Sequence, residues 1–99
     1  LRLLKVFLDE HQHTVGLTRD DLAQGRLVQA ARRMHTLRGG AGQLGALDLA
    51  AAAQTVERSI SENVAAADEP IAQLERELEA IAQSAKPLLH PEGIDWPQP

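Results

Sequence analysis

The chain has 99 residues, a formal net charge of −4 and no cysteine, which excludes disulfides and thiolate metal sites and allows one modest core rather than a deep enclosed active site. Phe7 and Trp96 are its only aromatics of the Phe, Trp and Tyr set, and Ala and Leu outnumber Val and Ile, a balance that favours helices and predicts an all-α fold. No stretch approaches the ~20 apolar residues that cross a bilayer. The apolar start at residues 1–8 is broken by Arg2 and Lys5, so neither a membrane span nor a signal sequence is expected, and a reducing, cytoplasmic setting is.

Leu1, Leu4, Leu8 and His11, with Phe7 beside them, follow helical spacing and predict a first helix that is already under way at Leu1, as though cut from a longer protein, and that frays near His13 to Gly16. Thr18 with Asp21 three residues on has the form of a capping box, which predicts a short second helix from about Arg19 to Gln24, stopped by Gly25 and covering the end of the bundle. Leu27, Ala30, Met34, Leu37, Ala41 and Leu44 recur at gaps of three and four and mark the buried seam of a third helix. Val28, Ala31, His35, Arg38 and Gly42 form the adjacent stripe, which sets His35 on the shoulder of the core.

Gly45-Ala46 then makes a tight turn, and Leu49, Ala53, Val56, Ile60 and Val64 give the buried line of a fourth helix. Asp68 or Glu69 starts a fifth, with Pro70 tolerated in its first turn, and Ile71, Leu74, Leu78, Ile81 and Ala85 carry its apolar face until Pro87 stops it. These stripes predict an antiparallel four-helix bundle, up-down-up-down, spanning residues 1–86, with a short extra capping helix before the His35 helix. The proline-rich stretch 87–99 reads as an extended or disordered tail.

Charge is unevenly placed along this frame. Between Leu22 and Leu47 the charged residues are Arg26, Arg32, Arg33 and Arg38, whereas Asp68, Glu69, Glu75, Glu77 and Glu79 face Arg76 alone between 68 and 79. The segment around His35 therefore suits an acidic partner. A short basic stripe without interleaved aromatics, on an acidic chain, does not make a nucleic-acid surface.

His35 is followed three residues on by Arg38 and four on by Gly39, positions that share a helical face, so an exposed imidazole has a permanent cation and empty space beside it. That arrangement suits a ring that carries a phosphoryl group. Folding the third and fourth helices about residues 45 and 46 brings together positions whose numbers sum to about 92, which sets Glu57 opposite His35 and Gln54 one turn away. A carboxylate accepting the Nδ1 proton would leave Nε2 as the nucleophilic lone pair, and Arg38 can grip phosphate oxygens. Gly39 costs up to ~1 kcal/mol against alanine inside a helix, which a shelf for a docking protein explains better than an unwound helix end, because the seam continues through Ala41 and Leu44.

Arg32 and Gly42 flank the same surface, while Arg32 and Arg33 otherwise read as solvated charge, as do Glu75, Glu77 and Glu79. His11 and His13, two apart, point away from each other on a helix and cannot share a metal with His35 and His90, so no metal site is expected. The glycines lack the Gly-Lys-Ser/Thr run and preceding strand of a phosphate loop.

His35-Thr36-Leu37-Arg38-Gly39, followed by Gly42, Leu44-Gly45-Ala46 and Leu49, resembles the signature of histidine-containing phosphotransfer (HPt) domains, over residues from about Asp20 to Ile60. The remaining helices agree with that family in length and order. The resemblance implies that His35 accepts phosphate from an aspartate of a receiver domain and passes it to an aspartate of another, without catalysis of its own. It implies Arg38, where the family usually has lysine, as the phosphate-side cation, Gly39 as the small docking residue, and Glu57 at a position of glutamine or glutamate. The implied partners are receiver domains of response regulators or of a hybrid sensor histidine kinase, whose module this would be; magnesium belongs to the receiver, the chain needs no cofactor, and the isolated domain is expected to be a monomer without direct membrane contact.

Histidine-kinase dimerisation domains also present a helical histidine, but theirs is usually followed by an acidic residue and a nearby proline, and this chain has Thr36 and no such proline. The alternative is a non-catalytic helical interaction or dimerisation module. It would use the same apolar seams and need no reactive histidine.

Overall fold

Apolar side chains repeating every three and four residues wind the chain into five α-helices in a computed structural model that describes residues 2–89. These are α1 (Arg2–His11), α2 (Thr14–Ala23), α3 (Leu27–Gln43), α4 (Leu47–Glu62) and α5 (Asp68–Leu89), with one 3₁₀ turn at Val64–Ala66 before α5. There is no strand among the described residues. Helices α1, α3, α4 and α5 form the four-helix bundle, and α2 is the short extra helix, packed mainly on α3. The most extensive pairing is α3 with α4, and α4 in turn packs on α5.

Both sharp reversals are built on glycine. Gly25 and Gly45 each adopt φ +77°, a left-handed conformation that glycine reaches without the penalty a Cβ imposes. In the first, Arg26 N–H donates to Asp21 O at 2.7 Å and Gly25 N–H to Leu22 O at 3.1 Å; in the second, Ala46 N–H donates to Ala41 O at 2.9 Å and Gly45 N–H to Gly42 O at 3.1 Å. This paired pattern satisfies the last carbonyls of a helix and stops it cleanly. The stop at Gly45 leaves only three residues between α3 and α4, which makes them antiparallel neighbours and fixes which of their residues face.

The core is the one the stripes predict: Ala30, Met34, Leu37 and Ala41 of α3 meet Leu49, Ala53 and Val56 of α4 and Ile71 and Leu74 of α5, all fully or almost fully buried, with Phe7 of α1 closing one side. Leu27, at the open start of α3, is exposed.

Three boundaries differ from expectation. Helix α2 begins at Thr14 and runs through Gly16, because its inward face is Thr14, Val15, Thr18 and Asp21, a helical repeat written largely in polar residues. Thr18 is accordingly no cap: its hydroxyl donates to the Thr14 carbonyl at 2.8 Å inside the helix, and the Asp21 carboxylate is used elsewhere. Val64 is exposed, because Asn63 at φ −159° ends α4 and turns the next residue out, leaving Ala67 in the buried place. Helix α5 continues past Pro87 to Leu89, since proline removes a single backbone donor and the residues after it can still bond. The expected tail lies, from residue 90 onward, outside the described residues.

Candidate functional site

The seam of α3 points Met34 and Leu37 inward, and the helical period then leaves His35 facing out at the middle of the helix. Its side chain is 67% exposed. Arg38, one turn on, reaches back so that its Nη2 lies 3.1 Å from His35 Nδ1. From α4, the Glu57 carboxylate approaches the same place: Oε2 is 3.7 Å from His35 Nδ1, and Oε1 is 3.9 Å from Arg38 Nη1.

The expected juxtaposition of His35, Arg38 and Glu57 therefore forms, but the direct Glu57 hydrogen bond to Nδ1 does not. At 3.7 Å the carboxylate stands beyond hydrogen-bond length, and the guanidinium occupies the ring nitrogen instead. Arg38 wins because it is a long side chain on the same helix, one turn from the ring, whereas Glu57 reaches across from α4. The consequence is an incomplete network: Glu57 Oε1 is buried and has no hydrogen-bond partner. Such an orphaned buried acceptor costs on the order of 1–3 kcal/mol.

Arg38 and Glu57 line an open depression of about 350 Å³ with Ala31, Gln54, Arg58 and Ser61. Gln54 thus belongs to the same recess as the ring's two charged neighbours. Arg58 and Ser61 were not anticipated, although the same hairpin register that pairs Glu57 with His35 carries Gln54, Glu57, Arg58 and Ser61 along one face of α4. Arg32 lies on the other flank of α3, in a cleft with Glu10, His11, Thr14 and Thr36.

The glycines separate into different roles. A Cβ on Gly39 or Gly42 would meet nothing within 4 Å, whereas one on Gly40 would stand 3.1 Å from the Phe7 ring. Gly40 is the position where α1 needs a bare backbone, and Gly39 presents open space beside His35. On the exposed stripe itself Val28, two turns before His35, is 73% exposed, the most open of the large apolar side chains among the described residues.

Arg33, expected as solvated charge, is instead a tie between helices. Its Nε donates to Asp21 Oδ2 at 2.6 Å, and Arg26 Nε donates to Asp21 Oδ1 at 2.9 Å. The hydrogen bond from Arg33, with further help from Arg26, holds the Asp21 carboxyl below the ordinary carboxylate range against the opposing effect of desolvation. The pair seats α2 on the inner flank of α3 and so keeps the opposite flank, with His35, turned outward. His11 is also buried: its Nδ1 is 2.9 Å from Thr14 Oγ1 and its ring lies 4.7 Å from that of Phe7, and burial pushes its pKa down, opposed by nearby Glu10.

Among the described residues no group of three or more His, Asp or Glu side chains is gathered as metal ligands require, and no helix is long and apolar enough to cross a membrane. A family model described as Hpt domain matches residues 2–84 of the chain, which covers all five helices up to the last turn of α5. No curated protein and no solved structure matches it.

Proposed function

This chain belongs to the Hpt domain family, the histidine phosphotransfer modules of two-component phosphorelays, and on that premise we propose that His35 is the phospho-acceptor, taking a phosphoryl group from the aspartate of one receiver domain and passing it to the aspartate of another. One observation carries the reading: a single imidazole stands free of the core at the middle of α3, with a guanidinium 3.1 Å from one ring nitrogen and Nε2 left for a visitor.

In the step itself the Nε2 lone pair attacks phosphorus as the bond from phosphorus to the aspartate oxygen breaks, and the electron pair of that bond returns to the carboxylate. The phosphorylated ring, with phosphorus on Nε2 and its one N–H proton still on Nδ1, is cationic. Glu57 stabilises that charge and Arg38 neutralises phosphate oxygens, which lowers the cost of bringing several anions together. The receiver brings the aspartate and the magnesium ion; the domain has no catalysis of its own. Gly39 lets the partner approach closely, with Gln54, Arg32 and Gly42 around the contact. The working module spans the bundle, residues 1–86, as a monomer in the cytoplasm, and forms part of a hybrid sensor histidine kinase.

Incubation with a panel of phosphorylated receivers tests this. The domain acquires an acid-labile, alkali-stable phosphate, and His35→Gln loses it while its helical circular dichroism is unchanged. Undiminished labelling of His35→Gln refutes the assignment, and self-association with no phosphate uptake by the natural chain supports an interaction module instead.

A further inference from the structure

We propose that Arg38 decides which ring nitrogen of His35 holds the proton, and that phosphoryl acceptance requires the guanidinium to leave Nδ1 to Glu57. This rests on His35 as the phospho-acceptor, but it concerns the resting domain and is tested there without phosphate.

A guanidinium has N–H groups and no acceptor, so its hydrogen bond at 3.1 Å requires a lone pair on Nδ1. A neutral imidazole has one proton for its two nitrogens. With Nδ1 accepting, that proton sits on Nε2, and Nε2 is the atom that must offer a lone pair to phosphorus. The resting arrangement is therefore the tautomer that does not attack.

The alternative arrangement is already half assembled. Glu57 can only accept, its Oε2 waits 3.7 Å from Nδ1, and its Oε1 is buried without a partner. Closing the Oε2 distance to a hydrogen bond takes a movement of about 1 Å. The charged groups facing this ring are Arg38 from its own helix and Glu57 from α4, with Arg58 lining the same recess, and the recess gives the guanidinium about 350 Å³ to move into.

An incoming phosphoryl group supplies the competitor, because its anionic oxygens are better acceptors for Arg38 than a neutral ring nitrogen is. As Arg38 turns to the phosphate, Nδ1 takes a proton from water and donates it to Glu57 Oε2, while Nε2 releases its own proton to water. No net proton is gained, and the lone pair now lies on Nε2. The donor thus switches on its own acceptor, and an unloaded domain holds its nucleophile masked. Arg38 is in this sense a positioning residue as well as a phosphate ligand.

The test is the long-range ¹H–¹⁵N spectrum of the ¹⁵N-histidine-labelled domain at about pH 8.5, about two units above the value of free imidazole, where the nitrogen shifts report the tautomer. The natural chain shows His35 protonated mainly on Nε2. Arg38→Ala moves the ratio toward Nδ1–H by about three- to tenfold, the factor that one net hydrogen bond carries, and adding Glu57→Ala, which removes the acceptor, reverses the change. An unaltered ratio in Arg38→Ala, or a natural chain already protonated mainly on Nδ1, overturns the proposal. Failure of His35 to take phosphate from any receiver would instead overturn the phosphotransfer reading, so the two outcomes are separate.

Discussion

Arg33 Nε lies 2.6 Å from Asp21 Oδ2, joining α3 to α2 across twelve residues of sequence through a carboxylate whose side chain is only 2% exposed. Removing the charge from Asp21 while keeping its shape leaves the Arg33 guanidinium without its anion and Arg26 with only Asp20, 3.2 Å away. Asp21→Asn is expected to lower the urea midpoint near neutral pH by clearly more than Lys5→Ala does, since Lys5 pairs with Asp9 in full view of solvent. The folded state depresses the Asp21 pKa, so its stabilisation is complete above the ordinary aspartate value and is lost as pH falls through the lowered one. The gap between Asp21→Asn and the natural chain should therefore shrink at about pH 2–3, measured by urea denaturation in acid.

His11 acts in a different pH window. Burial favours its neutral form, so the unfolded chain binds a proton at a pH where the folded chain does not, and stability falls as pH drops below the ordinary imidazole value. His11→Asn keeps a polar group near Thr14 but cannot titrate. Comparing urea midpoints at about pH 7.5 and about pH 5.5, the natural chain should lose stability and His11→Asn should lose less. Equal losses in both would mean that His11 is not the group responsible.

What could be read from the residues alone follows from where the information resides. The α3 and α4 seams are apolar and periodic, and Gly45 fixes the hairpin, so the meeting of His35 with Glu57 is legible in the residues themselves. The inward face of α2 is not, because Thr14, Thr18 and Asp21 carry the period without apolarity. Arg33 reads as solvated because its partner Asp21 lies on a helix face that carries no apolar signal. Which group reaches His35 Nδ1 is a matter of side-chain torsions between Arg38 and Glu57, and no residue spacing encodes those.

Val28 gives a test of the docking face that leaves the ring untouched. It is 73% exposed on the His35 stripe and contributes little to the core, so Val28→Glu should change folding stability by no more than ~0.5 kcal/mol. A carboxylate there faces a partner whose own site must be acidic enough to hold a phosphorylated aspartate and its magnesium. The rate of labelling by a phosphorylated receiver is expected to fall about tenfold, with most of the loss at low salt, where repulsion is least screened. Labelling at the natural rate would place the contact elsewhere.

Gly39 and Gly40 are adjacent in the same helix, and alanine should separate them. Both positions gain helix propensity, worth ~0.5–1 kcal/mol. At Gly39 the new methyl enters open space, so the whole gain should appear as added stability in urea denaturation. At Gly40 it arrives 3.1 Å and 3.2 Å from two carbons of the Phe7 ring, which is already packed against His11, so the ring or the helix must yield. Gly40→Ala should therefore fall short of Gly39→Ala by about 1 kcal/mol or more, the usual scale of overpacking. Phosphotransfer should rank them the other way: Gly39→Ala, and more so Gly39→Leu, fills the space a receiver needs beside His35 and slows labelling, whereas Gly40→Ala acts on the buried side and spares it. A Gly39→Leu domain that is folded and labelled at the natural rate would show that this bare backbone serves no docking purpose.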